Sequence, residues 1–175
     1  LSGCEKTGTD VYNSTQAIEP SDYETVLNQW TRSDEDYEVL GRILFVHGTF
    51  HAPEFRRAFS VRHPDVYGPG SEAASRLTLT RPDAEEKHEF FLSVSTPDAT
   101  LNDLEEKNSI WRVTLERQGS LPVEGVVVSV RSNANLRKIY PYITDYAQTY
   151  RVSFPLTDPE GKPLVQSGLQ ELSFA

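Results

Sequence analysis

The chain has 175 residues, 17 of them Lys or Arg and 26 Asp or Glu, which gives a net charge of −9 and an isoelectric point near 4.9. That balance argues against a nucleic-acid partner, because neutralising phosphates takes a basic face. At 37% hydrophobic and 10% aromatic residues the chain is too apolar for wholesale disorder and long enough for one domain with a real core, and no run reaches the roughly 18 to 20 uncharged apolar residues of a membrane-spanning helix.

Met is absent throughout, position 1 included, so the sequence is expected to open at a processed or truncated end. Its first four residues, Leu1-Ser2-Gly3-Cys4, place an apolar residue and two small ones before the sole Cys. This resembles the lipobox of bacterial lipoproteins, in which the Cys thiol receives a diacylglyceryl group and the bond before it is cut. The resemblance implies that the mature chain begins at a lipidated Cys4, that its partner is a membrane, and that it sits in the bacterial cell envelope. The residue after the Cys is Glu5 and not the Asp that retains lipoproteins in the inner membrane of some enteric bacteria, which favours the outer membrane. Lipidation also removes the redox liability of one unpaired thiol in an exported protein. Residues 5–20 are rich in Thr, Ser, Glu, Gly and Asn without an apolar period, as expected of a tether. Asn13-Ser14-Thr15 is formally a glycosylation sequon and reads as ordinary linker.

Ser21 and Glu24 form a capping box, and Tyr23, Val26, Leu27 and Trp30 follow at helical spacing, predicting an amphipathic helix that docks by its aromatic stripe. Arg32 to Asp36 reads as a polar break. Ile43-Leu44-Phe45-Val46 is apolar at both parities, predicting a strand buried on two sides. Ala52-Pro53-Glu54 opens a helix carrying Phe55, Ala58 and Phe59 on one stripe and expected to end near His63-Pro64. Gly68-Pro69-Gly70 is a turn, and residues 71–80 form a candidate second short helix interrupted at Arg81-Pro82-Asp83.

From His88 the period changes to two. Phe90, Leu92 and Val94 alternate in one strand; Trp111, Val113 and Leu115 alternate in the next, with Arg112, Thr114 and Glu116 outward. Gln118-Gly119-Ser120 is a turn, and residues 123–130 make a strand with Val126, Val128 and Val130 on one face. Tyr150, Val152 and Phe154 form a further strand, Asp158-Pro159-Glu160-Gly161 turns the chain, and residues 169–174 close it. The sequence therefore predicts a tether over residues 1–20 and a single globular domain over 21–175, helix-rich with one strand to residue 87 and β-rich from 88 to 175. The fold class is mainly β: an antiparallel β-sandwich with an N-terminal helix and a helical insertion after the first strand. Tyr150 two residues before Val152, with Trp111 on an earlier strand, matches the chemistry of an immunoglobulin-like core, and other sandwiches or barrels remain open.

Leu44-Phe45-Val46, Pro53 to Phe59, Asn102-Asp103-Leu104, Asn108-Ser109-Ile110-Trp111 and Tyr140-Pro141-Tyr142 together make the chain from Leu44 onward similar to a group of uncharacterised cell-envelope lipoproteins of diderm bacteria. That resemblance implies anchoring and fold, and carries no activity or catalytic residue.

His47 and His51, followed by Glu54, are the strongest metal-like set. On a strand, however, two His four residues apart lie too far from each other to converge, and the Glu of the metalloprotease motif is missing, so no metal site is expected. Asp98, Asn102, Asp103, Glu105 and Glu106 make an acidic loop without the ligand spacing or Gly of a Ca²⁺-binding loop; Asp103 reads as a cap instead. Nucleophile elbow, Ser-x-x-Lys, Cys-His and phosphate-cradling signatures are absent, and no cofactor or catalytic residue is assigned. The segment Tyr140 to Tyr146, read as a connector between strands, offers Tyr140, Tyr142 and Tyr146 as candidate partner contacts, against the alternative that Ile139 and Tyr140 plug the sandwich end. The sequence thus points to a lipid-anchored binding or scaffolding module whose partner is an envelope protein or polymer, met through a strand edge or this segment; the alternative is an envelope hydrolase or metal-dependent enzyme without a linear motif.

Overall fold

The structure, a computed structural model, describes residues 22–37, 43–68, 86–116, 121–165 and 171–174. Cys4, the tether, Ser21, the candidate helix over 71–80 and the turn at 118–120 lie outside the described residues. No described helix is long and apolar enough to cross a membrane.

The architecture is mainly β, as the sequence predicts, with two antiparallel sheets. Helix α1 (Tyr23–Trp30) leads into strand β1 (Thr31–Tyr37), followed by β2 (Ile43–Phe50), helix α2 (Pro53–Tyr67) and β3 (Lys87–Ser95). Then come β4 (Val113–Glu116), β5 (Val123–Glu124), β6 (Val126–Val130), helix α3 (Ala134–Ile139), β7 (Gln148–Pro155) and β8 (Glu171–Phe174). The larger sheet has the order β1-β2-β3-β7-β6 and the smaller one β5-β4-β8.

The larger sheet is packed on both faces. Towards the smaller sheet, Leu44, Val46, Phe90, Leu92, Val94, Tyr150, Val152 and Phe154 meet Val113 and Leu115, with Leu104 and Leu164 closing the sides. On its other face lie the helices, whose Tyr23, Leu27, Phe55, Ala58, Phe59, Leu136 and Ile139 gather around Phe91, Tyr140 and Ile143. Strand β3 lies at the centre, buried from Glu89 to Val94. The alternation of Phe90, Leu92 and Val94 therefore describes only half of this strand: Phe91 belongs to a second core.

Four expectations need correction. The polar run Arg32 to Asp36 is not a break but most of β1, an edge strand pairing antiparallel with β2 from Thr31 opposite Thr49 to Tyr37 opposite Ile43; an edge strand has a free side and tolerates charge that an inner strand would not. Helix α2 passes His63-Pro64 and ends at Tyr67, where the amide of Gly68 donates to the carbonyl of Pro64. The lost amide donor of Pro64 costs one helical bond, and the buried His63 one residue earlier keeps this turn against the domain. The run over 123–130 is two strands in different sheets, joined at Gly125. A side chain there would place its Cβ 2.5 Å from Cγ1 of Val152 and 2.7 Å from Cζ of Phe154, so only glycine lets the chain cross between the layers. Finally, Tyr140 follows helix α3, not a strand, and Asn133 caps that helix by accepting the amide of Leu136 at 2.9 Å.

Trp111 packs against the first core but is only half-buried, and its Nε1 donates to the carbonyl of Leu101 at 2.8 Å. Tyr150 is buried and its hydroxyl donates to the carbonyl of Asn102 at 2.8 Å, a bond to a distant loop instead of the stretch just upstream of the tyrosine. The turn read at Asp158 to Gly161 is present: Asp158 accepts the amides of Glu160 and Lys162, and Gly161 takes a φ of 80°.

Candidate functional site

The face of the larger sheet beneath the helices is polar to a degree that a core face seldom is. By strand parity and register it presents His47 and Thr49 from β2, Glu89, Phe91 and Ser93 from β3, Thr149, Arg151 and Ser153 from β7, and Val126, Val128 and Val130 from β6. Thr49, Glu89, Ser93 and Thr149 are buried, as is His51 just beyond β2. Such groups are costly to desolvate unless paired.

The hydroxyl of Thr149 donates to the carbonyl of Val130, and Thr49 and His51 find partners in the segment after α3. Tyr142 and Thr49 share a hydrogen bond of 2.6 Å between their hydroxyls, and Thr49 shares another of 2.7 Å with Thr31. His47 stacks on Tyr142 with ring centres 5.0 Å apart. The hydroxyl of Tyr140 lies 2.9 Å from Nε2 of His51, and its ring stacks on Phe91 at 3.9 Å, nearly parallel. His51 is fixed further: its amide donates to the carbonyl of Glu89, its carbonyl accepts from Nε of Arg56, and its ring stacks on Phe55 at 5.3 Å.

Two buried atoms in this cluster have no hydrogen-bond partner, Nδ1 of His51 and Oε2 of Glu89, and they face one another at 3.9 Å. That separation is too long for a hydrogen bond and short enough for strong electrostatic coupling. A carboxylate at this distance favours a proton on Nδ1, which leaves Nε2 to accept from the hydroxyl of Tyr140, so the three side chains form a directed chain from phenol through imidazole to carboxylate. Burial pulls the His51 imidazole below its ordinary range, the attraction of Glu89 opposing this only in part, and burial pushes the Tyr140 phenol well above its own. Imidazole and phenol are therefore both neutral at pH 7.

Beside this chain lies a small cavity of about 210 Å³, lined by His51, Phe91, Tyr140 and Arg151 and by the β6 residues Val128, Ser129 and Val130. On the same edge strand Val126 is 64% and Val128 44% exposed. Periodicity could not single out this site, because its residues come from separate strands and a short helix-capped turn. One local sign was readable: Glu89 and Arg151 are charged residues set directly beside the apolar positions Phe90 and Val152 of their strands.

The structure places the sequence-derived candidates as follows. His47 and His51 are not convergent ligands, since one stacks on Tyr142 and the other bonds Tyr140. Asp98 accepts the amide of Thr100 at the start of a 3-10 turn, and Asp103 accepts the hydroxyl of Ser109, so both carboxylates serve the loop's own backbone and side chains. Among the described residues no group of three or more His, Cys, Asp or Glu is placed to hold a metal ion. Of the three tyrosines, Tyr140 is 1% exposed and occupies the core, Tyr142 is half-buried against His47 and Thr49, and Tyr146 alone is on the surface, 87% exposed. The three do not form one contact patch. Comparison of the chain with protein-family models, with curated proteins and with solved structures gives no match.

Proposed function

We propose that the protein is a lipid-anchored cell-envelope binding module, held to the membrane through Cys4, that receives an extended segment of an envelope protein or polymer along strand β6. The observation that supports this reading is a contrast between the two edges of the larger sheet. One edge, β1, reads Thr-Arg-Ser-Asp-Glu-Asp-Tyr and carries the charges that discourage strand addition. The other, β6, reads Val-Val-Val-Ser-Val and carries none, with Val126 and Val128 both exposed. An apolar, uncharged edge accepts a further strand through its backbone and selects it by alternate side-chain contacts. Tethering raises the effective concentration for partners near the same membrane, so a short interface suffices. The overall topology is read here as a sandwich related to the immunoglobulin class, supported by Tyr150 and Val152 in a late core strand.

A photo-crosslinker at Ser129 in native envelopes is expected to trap a recurrent partner, and Val126→Lys with Val128→Lys is expected to abolish that product while leaving the thermal transition in place. A crosslinking pattern indifferent to the two lysines would overturn the edge reading. Anchoring is tested separately: mass spectrometry of the N-terminal peptide should show a diacylglyceryl-modified and acylated Cys4, two signals being sufficient for stable membrane association, and Cys4→Ser should release the protein to the soluble fraction.

A further inference from the structure

We propose that the cavity between β6, β7 and the Tyr140 ring receives one aromatic side chain of the polypeptide strand that pairs with β6, an inference that rests on strand addition at that edge and names what the added strand must carry. The cavity is continuous with the edge: three successive β6 residues, Val128, Ser129 and Val130, belong to its lining, and Val128 is at the same time 44% exposed. Val128 lies opposite Arg151 of β7, which lies opposite Phe91 of β3, so the cavity extends from the edge strand across the helix-covered face of the sheet.

Strand pairing decides which side chains of the partner arrive there. Residues directly opposite one another in a strand pair project to the same face, so partner residues opposite Val128 and Val130 point to the face that holds the cavity and their neighbours to the sandwich side. A short side chain stops at the valine it faces, whereas an aromatic one reaches the diagonal neighbour roughly 7–8 Å away. The lining suits a hydrocarbon ring. Phe91 and Tyr140 stack nearly parallel at 3.9 Å, the Tyr140 ring lies 6.1 Å from that of Phe55, and a further ring packs against such a column by its face or its edge. The Tyr140 hydroxyl and Nε2 of His51 already hold each other at 2.9 Å, and a hydrocarbon ring enters without taking either from its partner. Size sets the limit: about 210 Å³ exceeds the roughly 150 Å³ of an apolar cavity that accommodates benzene and falls short of the roughly 300 Å³ at which pockets for drug-sized ligands begin, so there is room for a single ring.

The test is a titration of the purified chain with two capped nine-residue peptides of alternating Val and Thr, one with Phe at its centre and the other with Ala there, followed by amide chemical shifts and calorimetry. Both are expected to shift the β6 amides saturably, the Phe peptide binding at least about tenfold tighter because only it buries a large apolar side chain. Nuclear Overhauser contacts should join its ring to Phe91, Val130 and Tyr140. Val128→Trp, which fills the cavity from an exposed position, should remove the difference between the two peptides. Equal affinities with shifts confined to β6, or a preference for the Phe peptide that survives Val128→Trp, would overturn the ring pocket and leave strand addition standing. The absence of saturable shifts for either peptide would overturn both.

Discussion

A histidine buried between a carboxylate and a phenol holds one tautomer, and the Tyr140 hydroxyl is what completes it in this protein. Replacing Tyr140 by Phe keeps the stack on Phe91 but leaves Nε2 of His51 buried without a partner, which should cost about 1–3 kcal/mol in denaturant unfolding. The same burial gives the protein a pH dependence of definite sign. His47, His51, His63 and His88 all have imidazoles lowered by burial from the ordinary value of 6.5, so the unfolded chain takes up protons before the folded one as the medium acidifies. Stability is therefore fully present above about pH 6.5 and is lost as pH falls through that value towards the lowered folded-state ones. Calorimetric Tm should drop between about pH 7 and pH 5, and His51→Gln should flatten part of the slope; a slope unchanged by that substitution would assign the effect to the other three. Little of this was legible in the sequence. His47 and His51 stood out as a spaced pair, but the partner of His51 is Tyr140, 89 positions away.

Among the elements, legibility follows how far each one is determined by its own residues. Helix α1 and the start of α2 carry their stripes and their Pro signal locally, so both were readable; β4 and β7 alternate because one face of each is apolar core while the other carries polar side chains. Strand β1 was missed because it is a strand only by virtue of pairing with β2, and helix α3 because six residues are too few for a period to register. Capping holds such a short helix: Asn133→Ala should destabilise the protein by about 1 kcal/mol, measurable as a lower denaturation midpoint with unchanged slope. Trp111 precedes β4 and is only half-buried, so its replacement by Ala should cost less than the roughly 3–5 kcal/mol of a fully enclosed Trp. A loss at the top of that range would show the indole to be more enclosed than its packing indicates.

At the scale of the whole molecule, three layers replace the two of a simple sandwich, because β3 feeds a core on each of its faces. A period-two reading detects one buried face and has no means of seeing the other, which is why the helices were expected as an elaboration and not as a covering layer. The central position of β3 and β7, each flanked by strands on both sides, contrasts with the terminal position of β1 and β6. Amide hydrogen exchange should accordingly be slowest in β3 and β7, opening only with global unfolding, while β1 and β6 exchange through local fraying. Uniform protection across the sheet would contradict this ordering.

Gly125 joins the two sheets through a single residue, its amide donating to Val113 of one while its successor Val126 pairs opposite Ser153 of the other. The chain at this point tolerates no change of count. Adding or deleting one residue while β5 keeps its pairing would move β6 by one step along β7, turning Val127 away from the sandwich core and presenting the parity of Val126, Val128 and Val130 to it instead. Loop lengths elsewhere on the surface are free to drift among related chains, but the spacing between Val123 and Val130 is expected to stay invariant, so this octet is a ruler by which distant relatives of the fold could be aligned when side-chain identity has faded.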